Sequence, residues 1–384
     1  MIRGRAAAAA SIAALIAGCS ARDTIAVTGV AGDDLAGYCE GSGPAVLVDG
    51  TCSGELAEDL FRHAVCGCGG LAFGGRLTTD GFDSRIAPYA PGGLGGDVAS
   101  NVGVDGNQEM DIGGGLEAGG EGIEAGPVLR VAGDLVSGGP LGRSSSAIEV
   151  GGSARLAGDL DVQSLSVGGT LTTRPGATVS GEVTAAAEES AEISVPPPCR
   201  CEEAVDVAAL IEEHELVNHD AELGLEPDAL EGIAGDRTLE LPCGRFYLGE
   251  IRGDGPGTVT VRATGRTALF VGGNVTLGQD LVVELEPAAE LDLFVAGNVQ
   301  VSGRATLGDP ARPRALRLYV ASGGSIALPS GSTLAGNLYA PRADIAASAT
   351  LEVHGALVAN RVNGADAITV HHDRAVADAS DSSE

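Results

Sequence analysis

The chain has 384 residues, with 53 acidic and 23 basic side chains and a formal net charge of −30. This balance excludes the clustered positive charge that nucleic acid or an anionic membrane surface requires. Aromatics make up 3% and Trp is absent, which excludes a core built on large rings, while 60 glycines held at a fixed phase within apolar strings exclude plain disorder.

The first element is an address. Arg3 and Arg5 precede an apolar run over residues 6–17 that is too short to span a bilayer. The string Ile16-Ala17-Gly18-Cys19 follows, and it resembles a bacterial lipobox. The resemblance implies that residues 1–18 are a lipoprotein signal peptide, cleaved before Cys19, whose thiol then carries a lipid. Ser20 rather than Asp at the next position implies, by the same likeness, the outer membrane of a bacterial cell envelope. Membrane contact would run through that lipid alone, since no other segment is long and apolar enough to cross.

Export places the remaining cysteines in an oxidising compartment and makes Cys39, Cys52, Cys66, Cys68, Cys199, Cys201 and Cys243 disulfide candidates. Their number is odd, so at least one stays unpaired or pairs between chains. Cys66/Cys68 and Cys199/Cys201 are Cys-x-Cys pairs, not the Cys-x-x-Cys common in zinc sites. On a strand both members of such a pair face one side, so each pair can reach two different partners. Spacing leaves the connectivity open.

Residues 19–68 read as a Cys-containing tether and N-terminal cap. Leu56, Leu60 and Phe61 share one side of a helix expected over 55–66, placed to cover a first rung. Residues 69–195 carry a recurring string: an aliphatic or Phe residue, then Gly or Ala, then Gly. It occurs at Phe73-Gly74-Gly75, Leu94-Gly95-Gly96, Ile112-Gly113-Gly114, Val131-Ala132-Gly133, Val150-Gly151-Gly152 and Val167-Gly168-Gly169. A period near 20 predicts a stacked β-solenoid, with the glycines in turns that need positive φ or close stacking.

Residues 196–238 open on Pro196-Pro197-Pro198 and form a Pro- and Cys-marked helical insertion. Ala204, Val207, Ala208 and Ile211 fall at helical spacing, and a second Leu-rich stretch runs over 223–233. The insertion either bridges two blocks or packs on one flank. Residues 239–373 form the second block, with longer rungs and the same string at Val271-Gly272-Gly273 and Val295-Ala296-Gly297. Asn274, Asn298 and Asn337 each follow Gly and precede Val or Leu, which predicts a structural ladder of amides. Residues 374–384 read as a disordered acidic tail. The fold class is therefore all-β: a parallel β-helix (β-solenoid) in two stacked blocks with a short helical insertion.

Little in the chain points to chemistry. His214 and His219 lie five apart, about 140° around a helix, so they cannot grip one metal and read as an exposed helix end. In His371-His372-Asp373 neighbouring strand residues face opposite sides, which reads as an end cap. A polysaccharide lyase or hydrolase would need carboxylates grouped on one lateral face. Asp159, Asp161 and Glu182, or Asp280, Glu284 and Glu286, offer such groups, but 53 acids make chance groupings frequent. We expect no catalytic residue, no metal-ligating set and no cofactor beyond weak surface Ca²⁺.

Three strings carry a family likeness: Leu269-Phe270-Val271-Gly272-Gly273-Asn274-Val275, Leu293-Phe294-Val295-Ala296-Gly297-Asn298-Val299 and Leu334-Ala335-Gly336-Asn337-Leu338-Tyr339-Ala340-Pro341. With the closing His371-His372-Asp373 they make residues 268–373 resemble an uncharacterised bacterial β-helical domain of pilus-associated proteins and cell-envelope lipoproteins. The domain is more distantly similar to bactofilins. The resemblance implies a β-helix in an envelope setting and supplies no catalytic residues.

The expectation is a lipid-anchored, non-enzymatic solenoid of the bacterial envelope, a structural or adhesive scaffold whose partner is an envelope glycan or protein. A polysaccharide-binding or polysaccharide-cleaving β-helix and a bactofilin-like self-assembling module are the rivals. Nucleic acid is no partner, and the oligomeric state stays open.

Overall fold

The computed structural model describes residues 35–40, 60–201, 205–347 and 349–376. The fold is all-β. Strands run three to a turn, and each pairs in parallel with its counterpart in the next turn. Arg237–Leu241 pairs with Thr258–Ala263, and that strand with Asp280–Leu285. Gly244–Leu248 pairs with Arg266–Val271, then with Glu290–Val295 beyond it. Ile251–Gly253 pairs with Val275–Leu277, then with Val299–Val301. Alternation decides what is buried: in Thr258–Ala263 it is Val259, Val261 and Ala263 that point inward.

On one side of the stack an inward column, aliphatic beyond its first member, runs in strict register through Phe246, Leu269, Leu293, Leu318, Leu338 and Leu357. It does not stop there. Leu357 pairs with Val65, and the column continues through Val98, Leu116, Leu135, Ala154 and Leu171. On a neighbouring side Ile368–Asp373 lies between Leu351–Gly364 and Leu77–Phe82.

The chain therefore enters the stack in the middle and climbs to one end at Val179–Ser190. It then crosses back along the flank, restarts at the opposite end and returns to pair with its own beginning. We call this join the seam. The inward residues of both halves form one apolar cluster.

This corrects two expectations. The two blocks are one stack, joined through the first and last of the described strands rather than through the insertion. Of the cap expected over 55–66, residues 55–59 lie outside the described residues, and its described end runs into Val65–Gly67, a strand paired on both sides rather than an open end. Sequence order had been taken for spatial order.

The two ends differ. Residues 225–233 cover one, with Leu225, Ala229, Leu230 and Ile233 packed on the core. This second Leu-rich stretch is not helical. The Arg252 N–H donates to the Leu230 carbonyl at 2.9 Å, and the Ile233 N–H donates to the Arg252 carbonyl at 3.0 Å. At the other end no described strand lies beyond Val179–Ser190. Its edge carries Glu182, Glu188 and Glu189, and charged edges oppose pairing with another chain.

The recurring glycines serve close stacking. Within the string only Gly95 and Gly96 have left-handed φ, 117° and 83°. A Cβ on Gly133 would sit 2.9 Å from the Gly114 carbonyl carbon on the turn beneath. The string also marks two different corners. Val131-Ala132-Gly133-Asp134-Leu135 leads into the side that holds Leu135, whereas Val271-Gly272-Gly273-Asn274-Val275 leads out of that same side.

A second apolar layer covers the outside of that side. Phe270, Phe294 and Tyr319 stack in register, each pair 4.8 Å apart and within 9° of parallel. The helix Val207–Leu216 packs over them with Val207, Leu210 and Ile211, joined by Tyr38, Val205 and Phe61. Its N-cap Asp206 accepts from the Ala209 N–H at 3.1 Å. The helical reading of this segment holds, with Leu210 rather than Ala208 on the buried face. On the same outward face, one residue pair along from Phe294 and Tyr319, Arg317 and Asp292, 1% and 0% exposed, form a two-pronged ion pair at 2.7 and 2.9 Å.

His63, buried beside the seam, makes folding sensitive to acid. Burial pushes its imidazole down to about 4, against an opposing pull from the Asp97 charge. A folded value below the unfolded one means that the unfolded chain takes the proton first. Stability is therefore full above pH 6.5 and falls as pH drops toward 4. Urea unfolding should show His63→Gln losing about 2 kcal/mol less than the parent between pH 7 and pH 4.5. Equal losses would contradict the assignment.

Candidate functional site

The side of the stack next to the aliphatic column carries polar side chains on its outer surface at the seam. In Leu351–Gly364, Leu351 and Val353 point inward, so Glu352 and His354 point out. In Ile368–Asp373, Ile368 and Val370 point inward and His371 out. Register sets His371 directly between His354 and Asp80.

The imidazoles of His354 and His371 lie 4.7 Å apart. His354 Nε2 is 3.2 Å from Glu352 Oε1, and His371 Nε2 is 3.7 Å from the same oxygen. His371 Nδ1 meets Asp80 Oδ1 at 2.8 Å. Residues 83–97 fold over this outward cluster and bring in Tyr89. Its ring lies 4.1 Å from that of His371, and its hydroxyl donates to Asp80 Oδ2 at 2.9 Å.

Burial lowers His354, and the neighbouring His371 lowers it further. Burial by itself raises Asp80, but the hydrogen bonds from His371 and Tyr89 outweigh it and hold the carboxyl below its usual value. Burial raises Tyr89, and its bond to Asp80 adds to the shift.

Ligand-capable atoms of Glu352, His354 and His371 all lie within 4.8 Å of one another. Sequence reasoning expected no metal-ligating set and missed Glu352 and His354. Sequence reasoning set His371 and His372 on opposite faces, and they meet different partners: His371 Nδ1 meets Asp80, His372 Nε2 meets the Phe61 carbonyl at 3.0 Å, and Asp373 accepts from Ser84 N–H and Oγ–H at 2.9 and 2.7 Å. It was wrong about an end cap, because the string lies at mid-stack. The available signal was Glu-x-His, two same-facing residues on one strand, followed one short rung later by His371.

His214 is not on an exposed helix end. It is buried and stacked on Phe270 at 4.1 Å, with Nδ1 2.8 Å from the Val217 carbonyl. His219 Nδ1 accepts the Arg245 N–H at 3.0 Å.

Three disulfides tie the described chain: Cys66–Cys199, Cys68–Cys201 and Cys39–Cys243, with Cα atoms 5.8, 5.8 and 5.7 Å apart. Each member of a Cys-x-Cys pair reaches a different partner, and the two pairs meet each other in register. They staple the crossing segment to the first strand of the seam. Asn101 reinforces the staple through both its amide nitrogen and its oxygen, at 3.0 Å to the Cys199 carbonyl and 2.8 Å to its N–H. Cys19 and Cys52 lie outside the described residues.

A family model for a domain of unknown function, DUF7305, matches residues 161–379, more than half of the chain. The chain belongs to the DUF7305 family. The DUF7305 match extends well beyond the resemblance read over 268–373. It takes in Glu352, His354 and His371 but not Asp80 or Tyr89, which reach the cluster from the preceding half. No curated protein and no solved structure matches the chain.

Of the ladder expected within the DUF7305 region, two members meet. Asn274 Oδ1 accepts the Asn298 N–H at 2.8 Å, and Asn298 Oδ1 accepts from Ser322 Oγ at 3.2 Å. Asn337 sits in another column, in register with Arg317, and its amide donates to the Pro313 carbonyl at 3.3 Å. These amides bond backbone or hydroxyl groups, not one another's side chains.

Aspartates do the same elsewhere. Asp97 accepts from Gly115 N–H and Asp134 from Ser153 N–H, at 2.6 and 2.7 Å. Asp159 and Asp280, weighed above as catalytic groups, likewise accept the Thr178 and Arg304 N–H groups at 3.0 and 2.7 Å. Glu284 is held by Arg262 at 2.7 Å.

On the third side a shallow cavity of about 410 Å³ crosses the seam beside Asp105, Glu121, Glu124 and Arg361. Arg143 ties Asp105 and Glu124 at 2.7 and 2.8 Å, and among the described residues no aromatic ring lines the cavity.

Proposed function

We propose that the protein is a parallel β-solenoid serving as a lipid-anchored, non-enzymatic scaffold of a bacterial envelope, presenting its lateral sides to an envelope glycan or protein. The observation that carries this reading is the disulfide frame. Three bridges of long sequence separation suit an exported protein, and the lipobox-like string ending at Cys19 agrees with that address. The aspartates that recur at the corners spend their oxygens on backbone N–H groups, which favours scaffold over hydrolase.

The polysaccharide-cleaving alternative would want free carboxylates and sugar-stacking rings in a lateral groove. The cavity beside Arg361 offers neither a ring nor a free Asp105–Glu124 pair. End-to-end assembly of the bactofilin kind is disfavoured because one end is covered by residues 225–233 and the other carries an acidic edge.

Cys19→Ala followed by cell fractionation tests the anchor: the variant should leave the membrane fraction. Unchanged membrane association would contradict it. Screening the purified chain against envelope glycans tests the scaffold reading, which predicts binding without turnover.

A further inference from the structure

We propose that Glu352, His354 and His371 bind one divalent transition-metal ion of the zinc class, and that the bound ion locks the seam through the His371–Asp80 contact. The donor set is two imidazoles and one carboxylate, which suits such an ion. Metal–donor distances of about 2.0–2.1 Å place tetrahedral ligands roughly 3.3 Å apart. The distances here are 3.2 Å from His354 Nε2 and 3.7 Å from His371 Nε2 to the same Glu352 oxygen.

Three further observations point the same way. His354 is 6% exposed, so two imidazoles and a carboxylate converge at a site largely closed to solvent on the histidine side. His371 presents Nε2 to the cluster while Nδ1 is held at 2.8 Å by Asp80. A carboxylate on the far nitrogen is what fixes the tautomer and orientation of a ligating histidine. Tyr89 holds that same carboxylate from above and packs on the His371 ring, so the arrangement is organised before any ion arrives.

The three protein ligands leave one position of a tetrahedral ion for water. All three come from the last strands of the chain, whereas Asp80 and Tyr89 belong to its first strands and the loop after them. An ion that fixes His371 therefore also fixes the contact across the join. Nitrogen donors select against Ca²⁺, so this is a different site from the weak surface calcium binding expected from net charge.

The full chain, stripped with a chelator and dialysed, is titrated with Zn²⁺ by calorimetry, and its retained zinc is counted by mass spectrometry. One zinc per chain is expected. Glu352→Gln should weaken binding at least tenfold, His354→Ala at least a hundredfold, and Asp80→Asn about 10–100-fold. The Glu352 side chain is 53% exposed, so its substitution leaves packing intact and keeps the test valid if His354→Ala fails to fold. Failure to retain stoichiometric zinc would overturn the site, as would undiminished binding in Glu352→Gln. Hydrogen exchange in residues 77–82 should slow on zinc addition; unchanged exchange in the loaded protein would overturn the lock.

Discussion

Replacing all four cysteines of the Cys66–Cys199 and Cys68–Cys201 bridges with serine should lower the unfolding free energy by about 4–5 kcal/mol. Each bridge spans 133 residues, and closing so long a loop removes about 5 kcal/mol of entropy from the unfolded chain. The two bridges are not additive. With Cys66–Cys199 in place, Cys68–Cys201 closes a loop of only a few residues and adds little. Removing either alone should therefore cost about 1 kcal/mol or less, and removing both should cost nearly the whole amount. Urea unfolding of the two single-bridge variants and the double variant checks this. Equal, additive losses would mean that the two bridges close independent loops.

Asp292→Asn should destabilise the fold by about 3–5 kcal/mol. Arg317 is 1% exposed, and its two-pronged contact with Asp292 lies on the same outward face as the aromatic column, beside it. Burial opposes its charge, but Asp292 and Glu290 overcome this and raise the guanidinium well above its ordinary value. Loss of the Asp292 charge leaves a buried cation that Glu290, at 2.8 Å and partly exposed, only partly offsets. Replacing the pair together, Asp292→Leu with Arg317→Met, should cost much less than Asp292→Asn, because no charge is then left unpaired. Chemical denaturation of the three proteins distinguishes a large single-site loss from a small one.

What was legible in the sequence was periodic. Alternating aliphatics and a recurring Gly-Gly corner announced parallel strands at a period near 20, and Ala204, Val207, Ala208 and Ile211 announced the helix on the flank. Order along the stack was not legible. Leu357 and Val65 are both plain inward aliphatics, and nothing in either residue tells that they are neighbours. The string misled in one respect: it reports a tight corner between two inward strands without saying which corner.

The outward layer was hidden for a related reason. Phe270, Phe294 and Tyr319 recur at 24 and 25 residues, but an outward aromatic column becomes a core only when a distant segment covers it. The polar cluster was missed because its parts are split between rungs. Glu352 and His354 share a strand with nothing else suggestive, and Asp80 lies 291 residues from His371.

The join itself admits the most direct measurement. Thr78 and Thr369 are paired across it in adjacent strands. Strand spacing puts their Cα atoms about 4.8 Å apart, within the range a disulfide bridges. In the Thr78→Cys/Thr369→Cys protein, oxidation of the folded monomer should yield a peptide linking positions 78 and 369 in a non-reduced digest. Two thiols that alkylate freely in the folded monomer, with no such linked peptide, would contradict a single stack closed on its own beginning.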